Sequence, residues 1–278
     1  MALPPYMTTT EKVSHYGLRI FVGAVLLFLI APILAIMPLS FNSETFFSYP
    51  MPGFSTKWYF GETGFFTNER WTSALKLSVI VAVAATILAT CLGTLAALGL
   101  SRSNIPGRAA IMAVLISPMI VPVIISAIGL FFFYAYTGLN GTLIGIILAH
   151  TALATPFVVI TVTATLMSFD RTLMRAGASL GGAPHTVFFK VVLPLILPGV
   201  ISGALFAFVT SFDEVIVILF IGGPEQRTLP RQMFSGIREL ISPTITAAAS
   251  VLIVFSTFLL VTVELLRRRG ERLRGIKS

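Results

Sequence analysis

The chain has 278 residues and a formal net charge of +8, and its composition excludes an ordinary soluble domain. Hydrophobic residues make up 56% of it and charged residues only 11%, whereas soluble domains carry roughly 25% charged residues. Because the few charges lie between long uncharged stretches, the composition predicts an all-α integral membrane protein. The net charge of +8 alone would suggest a nucleic-acid partner, but the positions of the basic residues along the chain argue against one.

Six stretches are each long and apolar enough to cross a bilayer, which requires about 20 residues of helix. The first is not predicted to be a cleaved signal peptide, because its apolar run exceeds the roughly 7–15 residues of a signal sequence and no cleavage motif follows. We therefore expect a cytoplasmic N-terminus at 1–19, a six-helix transmembrane domain at 20–266 and a basic tail at 267–278. The predicted spans are Ile20–Leu39, Leu77–Leu100, Ala109–Tyr136, Thr142–Met167, Leu195–Ile221 and Thr244–Leu266.

The Lys and Arg residues divide unevenly between the two sides of these spans. Thirteen lie in the N-terminal segment, in Ser101–Arg108, in the segment after span four and in the C-terminal tail. Six lie in the opposite segments, where Glu residues nearly balance them. Since cytoplasmic segments carry the excess of Lys and Arg, both termini are predicted to be cytoplasmic. The tail RRRGERLRGIKS is interpreted as an anchor on anionic membrane lipid rather than a nucleic-acid site.

The predicted external segment between spans one and two is rich in aromatic side chains. Aromatic rings are enriched where a membrane meets water, so most of these rings are interpreted as an aromatic belt. An outer cap on which a delivery protein docks is the alternative. The rings are Phe46, Phe47, Tyr49, Phe54, Trp58, Tyr59, Phe60, Phe65, Phe66 and Trp71.

Spans two to four contain three features that allow a structural and a functional interpretation. Cys91, the single cysteine, lies within an apolar run and is expected to be a packed core thiol. Pro118 and Pro122 in span three release backbone carbonyls, which either line a cavity or mark a simple kink. His150 in span four has no second histidine near it in sequence, so we expect a hydrogen-bonded residue rather than a proton relay.

The segment 168–194, between spans four and five, is neither a clean span nor an ordinary loop. The pair Gly181-Gly182 divides it into two short predicted helices, and small residues on the first permit close approach of another backbone. Pro194 and Pro198 are expected to separate this hairpin from span five. The sequence predicts a helical elbow facing the cytoplasm, which either docks a soluble partner or merely caps the bundle.

Two adjacent acids, Asp213 and Glu214, lie in the outer half of span five. Each charge in the middle of a helix costs roughly 2.5–3.5 kcal/mol on insertion scales, so the pair requires a reason. Neighbours on a helix point about 100° apart, so at most one is expected to face a lumen squarely. The functional hypothesis is that these acids and Ser211 line a path and offer countercharge to a cationic substrate. The alternative is a polar clamp between helices.

The elbow resembles the EAA loop of ABC importer permeases. That pattern is E-A-A, three residues, Gly, nine residues, then aliphatic-x-Leu-Pro, and the resemblance implies that the loop couples the membrane helices to an ATPase subunit. Arg175 stands where the family has an acid and Gly177 where it has its second alanine, so residue 175 cannot make the usual carboxylate contact. The matching positions are Arg175, Ala176, Gly177, Gly181, Val191, Leu193 and Pro194.

Further stretches resemble polyamine-type permeases. They are FNS at Phe41–Ser43, GFSTKWY at Gly53–Tyr59, SFDEVIV at Ser211–Val217 and TLPRQMFSGIRELISPTITA at Thr228–Ala247. The resemblance implies the type I ABC importer permease fold and a multi-pass subunit of a spermidine/putrescine-like importer in a bacterial inner membrane. It also implies three partners: an ATPase dimer that binds ATP and Mg, a second permease expected to be a non-identical homologue, and an extracytoplasmic solute-binding protein.

Absent motifs agree with a transport subunit rather than an enzyme. The chain has no G-x-x-x-x-G-K-[ST], H-E-x-x-H or G-x-S-x-G motif and no metal-ligand spacing, so we expect no cofactor, metal or catalytic residue of its own. Related permeases for opines, γ-aminobutyrate or aminophosphonates are the alternative substrate classes. An autonomous secondary transporter is a further alternative, although the spans show no convincing internal repeat.

Overall fold

The structure, a computed structural model, describes residues 8–101, 105–167, 169–239 and 242–273. The chain divides into two units, Met1–Asn68 with Leu240–Leu252 and Glu69–Glu239 with Ile253–Ser278. A π-helical turn at Phe188–Val192 joins two of the helices. Within the described residues the helices are α1 (Thr9–Leu39), α2 (Lys57–Phe60), α3 (Glu69–Leu100), α4 (Arg108–Ile120), α5 (Val123–Thr137), α6 (Leu143–Met167), α7 (Thr172–Ser179), α8 (Pro184–Val187), α9 (Leu193–Phe212), α10 (Ile216–Ile221), α11 (Leu229–Glu239) and α12 (Pro243–Leu273).

In the first unit, α1 begins well before the predicted span. The amide of Thr8 donates to Glu11 Oε2 at 2.8 Å, and the amide of Glu11 donates to Thr8 Oγ1 at 3.4 Å. This capping box satisfies amides that a helix start otherwise leaves without partners. Residues 9–19, expected as an N-terminal segment before span one, are therefore helical.

The segment between α1 and α3 holds a small aromatic core. Trp58 Nε1 donates to the carbonyl of Asn42 at 2.7 Å, and the Tyr59 and Ser40 hydroxyls lie 2.7 Å apart. The ring of Tyr59 stacks on Phe41 with centroids 5.0 Å apart. Of the ten rings of the predicted belt, Trp58, Tyr59, Phe65 and Trp71 are buried, and Phe46, Phe47, Tyr49, Phe54, Phe60 and Phe66 are exposed.

The second unit is built around α6, which packs against both α3 and α9. The two flanking helices each present a row of small residues at every fourth position, so their backbones approach α6 closely. All eight members of the rows are buried: Ala85, Ala89, Gly93 and Ala97 on α3, and Gly199, Gly203, Ala207 and Ser211 on α9.

Val158 of α6 lies between these two rows and is fully buried. A methyl group added at Gly93 would be 2.7 Å from Val158 Cβ, and one added at Gly203 would be 2.9 Å from Val158 Cα. Real carbon atoms do not approach so closely, so only glycine fits at both positions. The three helices therefore lie at a spacing that a side chain at Gly93 or Gly203 could not permit.

The predicted third span is not one helix. It is divided into α4 and α5, which meet at an angle of 102°. The break falls at Val121 and Pro122, both in extended conformations with ψ angles of 132° and 127°. A residue before proline is driven out of the helical region by the proline ring, which accounts for the break at this dipeptide.

The predicted fifth span is wrong at both ends. It was expected to start after Pro194, but a helix runs from Pro184 to Phe212 without interruption. Leu193 donates its amide to the carbonyl of Phe188, five residues back, and this wider π turn places Pro194 in the first turn of α9. A regular α-helical turn would bring the ring of Pro194 against the carbonyl four residues back, and the wider turn relieves that clash. At the other end, α9 stops at Phe212 instead of continuing to Ile221.

In the part of the chain that the structure describes, five helices are long and apolar enough to cross a membrane, or six if α4 and α5 count as one broken span. Cys91 is exposed, so the expectation of a packed core thiol is wrong. It lies two residues from Ala89 and Gly93, and residues two apart on a helix point in nearly opposite directions. The thiol therefore faces away from the small-residue row.

Candidate functional site

The elbow predicted from sequence is a helix–turn–helix whose turn requires glycine. Helix α7 ends at Ser179 and α8 starts at Pro184, so the predicted division at Gly181-Gly182 is confirmed. Gly181 has a φ of +81°, a left-handed conformation that disfavours side chains. Its amide donates to Ala178 O at 3.0 Å and that of Gly182 donates to Gly177 O at 3.1 Å. This pattern is a Schellman motif, which satisfies the last carbonyls of α7.

Gly177 and Gly182 allow the two arms of the elbow to touch. A methyl added at Gly177 would be 3.2 Å from Val187 Cγ2, and one added at Gly182 would be 2.8 Å from the carbonyl oxygen of Gly177. Val187 is buried in this contact. The glycine that replaces the second alanine of the EAA pattern is therefore explained by the close packing of α7 on α8.

The remaining residues of the elbow pattern are distributed between its outer surface and its junction with α9. Arg175 and Ala176 are exposed on α7. Val191 and Leu193 are half-buried, and Pro194 is exposed at the start of α9. The exposed arm leaves the charge of Arg175 available to a partner.

Two polar contacts fix the start of the elbow. Arg171 donates from Nη2 to the carbonyl of Ser101, at the end of α3. Asp170 accepts from the Thr172 hydroxyl at 2.7 Å and from the Thr172 amide at 2.9 Å. These bonds hold the pKa of Asp170 below its ordinary value, because they favour its charged form. Beneath α7 and α8 lies a cavity of about 620 Å³, which reaches the ends of α3 and α6.

The acids predicted inside span five lie at a break between two helices. Asp213 follows the last residue of α9, and its amide donates to Val209 O at 3.0 Å. Glu214 Oε1 accepts from the amide of Val217 at 2.7 Å, in the first turn of α10. Asp213 is exposed and Glu214 is half-buried. The Glu214 carboxylate therefore pairs with a backbone amide at the start of α10.

Helix α10 packs into the interior of the second unit, against α5 and α6. Val217 and Ile218 are fully buried and Ile221 is nearly so, in one cluster with Tyr134 and Ile146. The residues after the break are therefore held by apolar packing. This packing keeps the Asp213-Glu214 pair at a defined position beside the bundle.

Ser211, predicted together with the acids, is not on the exposed side of the break. It is 4% exposed, and its hydroxyl lies 2.9 Å from His150 Nδ1. Its carbonyl oxygen lies 3.1 Å from the same nitrogen. The expectation that His150 is hydrogen-bonded is thus confirmed. Ser211 faces α6, and the path-lining role remains a prediction for Asp213 and Glu214.

The elbow and the acids lie at opposite ends of one helix. The uninterrupted stretch from Pro184 to Phe212 has 29 residues, about 40 Å at 1.5 Å per residue. Sequence reasoning missed this continuity because it took Pro194 for a helix stop. It also missed the small-residue rows, although their spacing of four is visible in the sequence of α3 and α9.

Residues 89–272 match the family described as binding-protein-dependent transport system inner membrane component. The spermidine/putrescine transport system permease protein PotC of Haemophilus influenzae is 33% identical over 259 residues, covering 93% of this chain and 99% of that protein. The putrescine transport system permease protein PotI of Escherichia coli K12 is 33% identical over 233 residues, covering 81% and 82%. The molybdenum transport system permease protein ModB of Mycobacterium bovis is 31% identical over 210 residues, covering 70% and 79%.

Two solved structures share the fold. One is a bacterial ABC transporter involved in the import of the acidic polysaccharide alginate, with a TM-score of 0.75, 15% identity and coverage of 96% of this chain and 99% of that one. The other is a bacterial alginate ABC transporter in complex with its alginate pentasaccharide-bound periplasmic protein, with a TM-score of 0.64, 17% identity and coverage of 97% and 96%. At these identities the likeness concerns the fold. The family match and the relatives show that the chain belongs to the binding-protein-dependent transport system inner membrane components.

Proposed function

We propose that this chain is the transmembrane permease subunit of an ATP-driven importer that carries polyamines such as putrescine and spermidine into the cell by alternating access. The chain supplies no catalytic residue, metal or cofactor. ATP and Mg bind to a separate ATPase dimer, and the substrate arrives on an extracytoplasmic binding protein. A second permease, a non-identical homologue, completes the path in the inner membrane.

The observation that carries this proposal is the single helix that joins the elbow to the acids. One end of Pro184–Phe212 continues the elbow, whose exposed arm contains Arg175, and the other end leads directly into Asp213. Because the helix is continuous between these ends, a displacement of the elbow is carried along it toward the acids. Closure of the ATPase dimer against the elbow would therefore move the acids, and hydrolysis would let them return.

The two acids are the basis for the substrate class. An exposed carboxylate at a break in an apolar helix favours a cationic group over an anionic one. The side chain of Asp213 is exposed and can serve this purpose, whereas the Glu214 carboxylate also accepts from the start of α10. The relatives named for spermidine and putrescine cover nearly the whole chain. Both observations favour amines over the molybdenum for which the third relative is named.

The loop substitution at 175 implies an altered contact with the ATPase. Because an arginine replaces the acid of the EAA pattern and its side chain is exposed, the partner surface is expected to present a carboxylate at this place. The small residues beside it allow the partner to approach the α7 backbone.

Transport in proteoliposomes tests the proposal. The chain is reconstituted with its second permease and ATPase, with ATP inside the vesicles and the binding protein outside, and uptake of labelled putrescine and spermidine is measured. We expect uptake that requires the binding protein and ATP and that stops when the ATPase cannot hydrolyse ATP. Uptake without ATP would instead indicate a secondary transporter. ATP-dependent uptake of an opine, γ-aminobutyrate or an aminophosphonate with no polyamine uptake would contradict the substrate class.

A further inference from the structure

We propose that His150 is a positioning residue that fixes the end of α9 and thereby places Asp213 on the substrate path. This inference rests on the proposed function, because it concerns the acids that the proposal assigns to the path. His150 is 1% exposed on α6, and Ser211, its partner 61 residues later, is 4% exposed. The contact is therefore protected from water.

His150 supplies a hydrogen-bond donor to a carbonyl in the last turn of α9. The last carbonyls of a helix have no amide of their own helix to accept from, and Ser211 belongs to the last turn of α9. Its carbonyl oxygen lies 3.1 Å from His150 Nδ1, and its hydroxyl oxygen lies 2.9 Å from the same atom. One imidazole nitrogen thus contacts the hydroxyl and the carbonyl of Ser211, the next-to-last residue of α9.

The geometry assigns the tautomer. A carbonyl oxygen only accepts, so Nδ1 of His150 carries the proton and donates to the Ser211 carbonyl and hydroxyl oxygens. The other ring nitrogen, Nε2, is then an unprotonated acceptor, and in the described part of the chain this buried atom has no partner. A buried nitrogen without a partner carries a free-energy cost. The Nδ1–H bond to Ser211 is consequently the one polar interaction that holds the ring in place among the described residues.

The bond between His150 and Ser211 lies where it can fix the position of Asp213. Ser211 lies two residues before Asp213 and three before Glu214, which is fixed from the other side by its bond to the Val217 amide at 2.7 Å. The amide of Asp213 donates to Val209 O at 3.0 Å, so Asp213 continues the last turn of α9 that the His150 bond holds. Asp213 is exposed, and its orientation follows from the last turn of α9 on one side and from the Glu214–Val217 bond on the other. If the bond on the α6 side is lost, the last turn of α9 can unwind and Asp213 moves with it.

Two substitutions of His150, each by a residue with a side-chain amide, distinguish a role in positioning α9 from a role in packing alone. In His150→Asn the amide nitrogen occupies nearly the place of Nδ1 and can still donate to Ser211. In His150→Gln the amide lies nearer the place of Nε2 and cannot. We expect polyamine uptake within about threefold of wild type for His150→Asn and at least tenfold lower for His150→Gln, with equal amounts of assembled complex. The loss should appear mainly in the maximal rate, because the binding protein still delivers the substrate.

A second readout does not depend on transport. In a Cys91→Ala background, Asp213→Cys reports the position of the break through its rate of reaction with a small water-soluble maleimide. We expect the same rate with His150 and with His150→Asn, and a rate changed by at least threefold with His150→Gln. Equal rates in all three proteins would overturn the inference, as would equal uptake by the two amide variants. Failure of the proposed function would be distinct, because the wild-type complex would then take up no polyamine while the maleimide rates still followed the pattern.

Discussion

Replacing Gly181 by alanine tests whether the turn of the elbow couples the permease to its ATPase. Gly181 has a φ of +81°, and a methyl group added there meets no atom within 4 Å. The cost of the substitution is therefore conformational rather than steric, about 1–2 kcal/mol for a residue with a Cβ in the left-handed region. That free energy corresponds to a factor of about 5–30 in the population of the native turn.

The expected result is weaker association with the ATPase. Because the native turn must re-form when the partner binds, Gly181→Ala should raise the dissociation constant of the ATPase by up to about 30-fold. Transport per ATP hydrolysed should fall as well. Gly181→Asn should have a smaller effect, since asparagine adopts the left-handed conformation more readily than alanine. Both quantities are measured on purified complexes, association by titration of the ATPase and transport in proteoliposomes.

Gly138 provides the matched control. It has a φ of +72° at the end of α5, and an added methyl group there also meets no atom within 4 Å. Gly138→Ala carries the same conformational cost outside the elbow and should leave ATPase association unchanged. Unaltered association and transport in Gly181→Ala, or an equal loss in Gly138→Ala, would refute the reasoning.

Further substitutions test the helix packing, the acids and the elbow. Gly203→Val should destabilise the solubilised protein by about 1–3 kcal/mol or more, because the valine side chain would overlap α6. Gly129→Val, at a position with no atom within 4 Å, should not destabilise it. Thermal unfolding of the two variants measures the difference. Asp213→Asn should lower polyamine uptake about tenfold or more, the value of a hydrogen bond to a charged group. Glu214→Gln should lower uptake less, since glutamine keeps an oxygen that can accept from the backbone amide of Val217. If Asp213→Asn and Glu214→Gln both take up polyamines as fast as wild type, neither acid lines the path. Arg175→Lys should keep the affinity for the ATPase within about twofold, because the positive charge is retained. Arg175→Glu should weaken that affinity more, as expected when the charge in an exposed ion pair is reversed. An affinity that does not change in Arg175→Glu would exclude a partner carboxylate.

The sequence predicted the features that depend on local chemistry. The apolar runs of spans two and four correspond to α3 and α6, because a long apolar stretch has few alternatives to a helix in a membrane. The two-armed elbow followed from Gly181-Gly182, since the left-handed turn that glycine permits ends a helix.

Features that depend on contacts between distant residues, or on a local change in the helical hydrogen-bond pattern, could not be predicted from the sequence. The continuity through Pro194 required a π turn, which shifts the hydrogen bonds by one residue and leaves no simple mark in the sequence. The bond between His150 and Ser211 joins residues 61 positions apart, so spacing could not reveal it. The stop of α9 at Phe212 was concealed by the apolar residues of α10, which continue the hydropathy of the span after the two acids.

Cross-linking of the elbow to the ATPase tests the central claim most directly. In a Cys91→Ala background, Ser179→Cys places a thiol on the exposed surface of α7, and Phe46→Cys on the segment between α1 and α3 serves as control. The account predicts that a cysteine-reactive cross-linker joins Ser179→Cys, and not Phe46→Cys, to the ATPase and that bound nucleotide changes the yield. It also predicts that Ser179→Cys is protected from an impermeant thiol reagent added outside intact spheroplasts. Labelling from outside, or an assembled complex that gives no adduct with the ATPase, would contradict it.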